Sequence, residues 1–131
     1  MKFLNFEHQQ RFNTLREELP EGYMNDIERK SLIYLMAGNK ELEAKMKPYI
    51  DWVEGFSYED MFKQEDFSSE LKVLANLAVV LYNHGLNLDF SDVFTMLDKD
   101  NLELALCAAR YRYGVDKKDI YEIEDGNSYL K

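Results

Sequence analysis

The stretch Ser69-Glu70-Leu71-Lys72-Val73-Leu74-Ala75-Asn76-Leu77-Ala78-Val79-Val80-Leu81-Tyr82-Asn83-His84-Gly85 decides the fold class. Its polar positions Ser69, Lys72, Asn76 and Asn83 recur at spacings of three, four and seven. On an α-helix those spacings form one narrow line. Leu71, Leu74, Leu77, Ala78 and Leu81 cover most of the remaining circumference. A helix that is wet along one line and apolar elsewhere belongs inside a bundle, and a glycine just past its end is a common stop. The pattern therefore predicts a core helix over 69–84 closed by Gly85.

Upstream of it, Asn5 is placed to cap a first helix whose inward stripe is His8, Phe12, Leu15 and Leu19, ended by Pro20-Glu21-Gly22. Asn25 with Glu28 forms a capping-box pattern for a second helix, carrying Ile27, Leu32, Ile33, Leu35 and Met36 before Gly38. Its wide apolar surface predicts a central position with neighbours on more than one side. Asn39 opens a short helix with Leu42 and Met46, stopped by Pro48. Residues 49–67 are the least regular part, where Ser57 with Asp60 starts one or two helical turns. Downstream, Asp89 and Asp92 open a short helix with Phe90, Val93, Phe94 and Leu97 inward. Asp100 with Glu103 opens the last long helix, with a stripe of Leu102, Ala105, Leu106, Ala109 and Tyr113 and a stop at Gly114. Arg110 and Arg112 suit the carbonyl end of that helix. The tail alternates weakly at Ile120, Tyr121 and Ile123, as a short strand or a flexible end would.

Short connections between successive helices imply antiparallel neighbours. The expected fold is all-α, a compact irregular (orthogonal) bundle of six or seven short-to-medium helices. It forms one domain over residues 1–114, followed by a tail over 115–131.

A chain of 131 residues with 46% hydrophobic and 31% charged residues has enough apolar content to fold. No apolar run approaches the ~20 residues that cross a bilayer, so no membrane association is expected. The start turns polar too soon for a secretory signal, and Cys107 has no partner for an internal disulfide. A reducing, cytoplasmic setting is the expectation. The net charge of −9 is unevenly placed. Residues 1–50 balance eight acids against eight bases. Residues 51–70 set seven acids against Lys63, and residues 85–103 set five against Lys99. Without a basic footprint, direct nucleic-acid binding is excluded.

Chemical motifs are sparse. The two histidines belong to no His-Glu-x-x-His pair, so neither a metal site nor a cofactor is expected. His8 reads as a hydrogen-bonded residue at the edge of the core, and His84 as a helix-end residue. Asp98-Lys99-Asp100-Asn101 resembles the opening of a calcium loop, but Glu103 replaces the glycine at the sixth loop position and Ala109 stands at the twelfth. Asp100 is better read as an N-cap. Cys107, among alanines, reads as a small buried hydrophobe. The weaker reading is thus a small-ligand-binding protein or an enzyme with a polar pocket between the helices, around His8, Asn76 and Arg110. The stronger one is a non-enzymatic interaction protein that offers an acidic, aromatic surface to a basic host protein. Its candidate residues are Asp51, Trp52, Glu54, Tyr58, Glu59, Asp60, Glu65 and Asp66. Against it stands a plainer reading, a solvated charged loop with its aromatics folded inward. No feature of the sequence sets an oligomeric state.

Phe3-Leu4-Asn5 with Glu7-His8 and Arg11-Phe12, then Asp26-Ile27-Glu28-Arg29 leading to Ala37-Gly38-Asn39, make a recognisable combination. It continues through Leu81-Tyr82-Asn83, Leu97-Asp98-Lys99-Asp100-Asn101 and Ala108-Ala109-Arg110-Tyr111-Arg112-Tyr113-Gly114. Over residues 3–114 the chain resembles a family of small proteins of Gram-positive bacteria and their mobile elements, catalogued as a domain of unknown function. Trp52-Val53 departs from the more acidic, aromatic dipeptide expected there. The resemblance implies no chemistry. A mobile-element setting would make inhibition of a host nucleic-acid-binding or defence protein, by mimicry of DNA charge, a concrete form of the acidic-surface reading.

Overall fold

The computed structural model describes residues 2–82 and 85–114. Among them seven α-helices dominate: α1 (Phe6–Arg16), α2 (Ile27–Ala37), α3 (Lys40–Met46), α4 (Tyr58–Gln64), α5 (Ser69–Leu81), α6 (Phe90–Met96) and α7 (Lys99–Tyr113). A hairpin of two-residue strands, β1 (Ile50–Asp51) and β2 (Gly55–Phe56), separates α3 from α4. The architecture is an all-α bundle with this single small departure. The roles expected for Asn83 and His84, and for the tail at 115–131, lie outside the described residues.

The hub is α2. Every residue from Ser31 to Ala37 is buried, and α1, α3, α5 and α7 all pack on it. A helix covered all round buries its own terminus, where four carbonyls lack an intrahelical partner. All four are met. Gly38 N–H donates to Leu35 O and Asn39 N–H to Met36 O, both at 3.2 Å. The other two donors come from α1, with His8 Nε2 at 2.9 Å from Tyr34 O and Arg11 Nε at 2.8 Å from Ala37 O. His8, Phe12 and Leu15 of the predicted stripe are thus buried in α1, which ends at Arg16, ahead of the expected stop at Pro20; Leu19, beyond the helix, is buried as well.

Caps occur where polar side chains allow, sometimes a residue or two from their expected place. Asn5 and Asn39 accept from His8 N–H and Leu42 N–H, as predicted. α2 is capped by Asp26, not Asn25, because Asp26 both accepts Arg29 N–H and pairs with the Arg29 guanidinium at 3.1 Å. Asn25 instead accepts from Arg16. α7 is capped by Asp98, which accepts from Asn101 N–H at 2.8 Å, and Asp100 falls in the first turn. α5 stops at Leu81, short of the predicted His84. Tyr82 leaves the helix there, and Arg112 Nε binds Leu81 O at 2.8 Å.

Two inward faces differ from expectation. In α7, Leu104, Ala105, Cys107 and Ala108 are buried, whereas Tyr113 is exposed. The run 104–109 is apolar at every position, so its spacing carries no phase. Close packing chooses the phase: a Cβ at Gly38 would overlap the methyl groups of fully buried Leu104. Gly38 has an ordinary negative φ of −82°. It is needed for room rather than for backbone freedom. At α6, Val93 and the residue after the helix, Leu97, are buried while Phe90 and Phe94 are exposed.

Gly38→Ala should therefore destabilise the fold by about 1–3 kcal/mol through overpacking. Equilibrium urea unfolding at pH 7 would measure it, with the loss expected in the midpoint and not in the slope.

Candidate functional site

The acidic segment folds into a definite shape. Asp51 turns the chain at the hairpin tip, its carboxylate accepting the N–H groups of Val53 and Glu54 at 2.9 Å each. Those two bonds hold the Asp51 carboxyl below the usual carboxylate range. Gly55 follows at φ +129°, a conformation open to glycine and strained for other residues. β2 then pairs back on β1, Asp51 opposite Gly55 and Ile50 opposite Phe56, and Ser57 N–H extends the ladder to Tyr49 O at 2.8 Å. Phe56 anchors the hairpin by burying its ring against Tyr58 and Tyr82. Arg29 of α2 pins the tip from the other side. Its Nε donates to Trp52 O at 2.8 Å, and its guanidinium lies 3.8 Å from the centre of the Tyr23 ring.

Between the hairpin and α4 lies an open groove of about 690 Å³, walled by Tyr49, Asp51, Glu54, Phe56, Asp60 and Gln64 among others. No lining side chain is basic. Of the eight candidate partner-binding residues, the fold brings Asp51, Glu54 and Asp60 together here. Trp52 and Tyr58 are half-buried and pack against the core. Glu59 is exposed on α4. Glu65 accepts from Tyr49 Oη at 2.6 Å, a bond that raises the Tyr49 phenol above its ordinary value. Asp66 is exposed, and its backbone carbonyl receives the Lys45 ammonium. The acids face water and the aromatics fold inward. Tyr49, Ser57 and Gln64 join the groove without any sequence signal, and Arg29 supports it from outside. Asp51 with Gly55 four residues later was the readable trace of the turn.

His8, Asn76 and Arg110 stand apart in character. His8 is fully buried, its Nδ1 accepting Leu4 N–H at 3.0 Å and its Nε2 donating to Tyr34 O. Both ring nitrogens are therefore engaged within the fold. Burial, reinforced by the Arg11 charge, lowers its pKa to about 4 despite the Tyr34 bond. Asn76 is half-buried on α5 in line with exposed Lys72, and Arg110 is exposed. Cys107 is buried, and burial raises its thiol pKa. Among the described residues, no three His, Cys, Asp or Glu side chains are grouped to hold a metal ion. No described helix is long and apolar enough to cross a membrane.

Residues 1–122 match the family described as a family of unknown function (DUF6075), and the chain belongs to that family. The match continues past Gly114, where the sequence resemblance ended. No curated protein and no solved structure matches the chain. Several residues of the resemblance hold the fold together: Asn5 and Asp98 as caps, His8 and Arg11 on the end of α2, Arg29 on the hairpin, Gly38 against α7 and Arg112 on the end of α5.

An unfolded chain takes up a proton on histidine near pH 6.5, whereas folded His8 stays neutral down to about pH 4. Its contribution is complete above pH 6.5 and declines as pH falls towards 4, by about 3 kcal/mol. In urea unfolding across that window, His8→Gln should show a shallower pH slope than the wild type by this amount. Arg29→Met should cost about 2 kcal/mol, the scale of a charge-assisted hydrogen bond. Hydrogen exchange at the Val53 and Glu54 amides should quicken with it.

Proposed function

We propose that the chain is a non-enzymatic interaction protein that takes basic side chains of a partner protein into the groove between the hairpin and α4. The observation behind this reading is the convergence of Asp51, Glu54 and Asp60 on a groove without a basic lining residue. Asp51, Glu54 and Asp60 are all exposed, so their carboxylates are free to pair with a guanidinium or ammonium group through charge-assisted hydrogen bonds. Glu59 and Asp66, exposed beyond the wall, extend the negative field that steers such a partner. If the family's setting is a mobile element, the fitting target is a host protein whose own ligand is nucleic acid, blocked by an acidic decoy. Inhibition of that kind needs no catalytic group.

A hexa-arginine peptide tests the reading by titration calorimetry on the full chain. Binding should weaken at least tenfold in the Asp51→Asn, Glu54→Gln, Asp60→Asn triple variant and fall between 50 and 200 mM salt as the charges are screened. A double change of Glu59→Gln and Asp66→Asn should matter much less. Equal losses in both variants would mean a diffuse field with no groove site, and unchanged binding in the triple variant would remove the proposal.

A further inference from the structure

We infer that α6 is a second, separate docking surface, a ledge for a basic amphipathic segment of a partner that carries aliphatic or aromatic anchors. Phe90 is 77% exposed and Phe94 46% exposed, and their rings contact each other at 5.0 Å between centroids. Val93 of α6 and Leu97 just after it are already buried in the core, so the ring pair is surplus to it. Two large aromatic side chains paired in water on one short helix are an interaction surface rather than scattered exposed residues.

Charge selects the occupant. Residues 85–103 carry Asp89, Asp92, Asp98, Asp100 and Glu103 against Lys99 alone. A seven-residue helix is about 10 Å long, close to the Debye length at physiological salt, so carboxylates at both ends of α6 act on whatever covers the rings. A second copy would bring the same acidic segment to the contact. The chain's own residues 115–131 hold five acids against three lysines, so they are repelled too. A partner with lysines or arginines flanking its apolar anchors satisfies both features of the ledge.

The probe is an 18-residue amphipathic peptide of leucine and lysine, titrated into the full-length protein, beside a leucine–glutamate peptide with the same apolar face. The lysine peptide should bind, and Phe90→Ser with Phe94→Ser should weaken it at least tenfold. Phe90→Ser alone, at the more exposed position, should give a clear loss with an unchanged circular dichroism spectrum. The groove variant Asp51→Asn, Glu54→Gln, Asp60→Asn should retain most of this affinity, which separates failure here from failure of the groove. Binding indifferent to both phenylalanines, or equal for the glutamate peptide, overturns the inference. So does a concentration-dependent dimer that Phe90→Ser and Phe94→Ser abolish, since the occupant is then a second copy. Tighter peptide binding in an Ile120→Ser, Ile123→Ser variant would assign the ledge to the chain's own tail.

Discussion

The buried end of α2 is the constraint on which the rest of the structure depends. Over Ser31–Ala37 the helix is enclosed on every side and gains apolar burial, but its terminal carbonyls lose water and each one needs a donor. Two come from the backbone that follows, and two from His8 and Arg11, one helical turn apart on α1. That pairing fixes how α1 lies on α2. It also explains why a histidine occupies an otherwise apolar stripe: the ring fits among Phe3, Phe12 and Tyr34 while carrying a donor to Tyr34 O, one of the two carbonyls met by side chains.

The same device recurs. Arg11, Arg16, Arg29 and Arg112 each direct Nε to a backbone carbonyl of another segment, those of Ala37, Met24, Trp52 and Leu81. These four arginines therefore act as ties between segments. The carboxylates of Asp51 and Glu54 on the hairpin and of Glu59 and Asp60 in the first turn of α4 remain facing water. The uneven acidity of the surface follows from this division of labour as much as from the net charge.

The hub helix was legible because its apolar residues surround the axis, and the α1 stripe because four inward positions share one phase. α7 was not, since a continuous apolar run has no period and only the close approach of Leu104 to Gly38 selects a face. Cap positions slipped where neighbours compete for the role, Asn25 with Asp26 and Asp98 with Asp100. The hairpin escaped notice because strands of two residues cannot show alternation, and the groove exists only once the hairpin folds beside α4. Asp51, Glu54 and Asp60 were visible as acids, but their convergence is a tertiary fact. Phe90 and Phe94 looked like core because composition alone does not reveal that Val93 and Leu97 already fill the available space.

The seat of Leu104 over Gly38 also bears on how the chain is made. The two residues lie 66 positions apart, so at ribosomal rates of roughly 5–20 residues per second α2 waits roughly 3–13 s for α7, one of the helices that cover it. During that interval α1 is already present, and its histidine and arginine close the polar end of α2 while one apolar flank remains wet. The nascent chain thus passes through a stage in which α2, with the α7 side of its surface still open, is exposed to chaperones and to its neighbours.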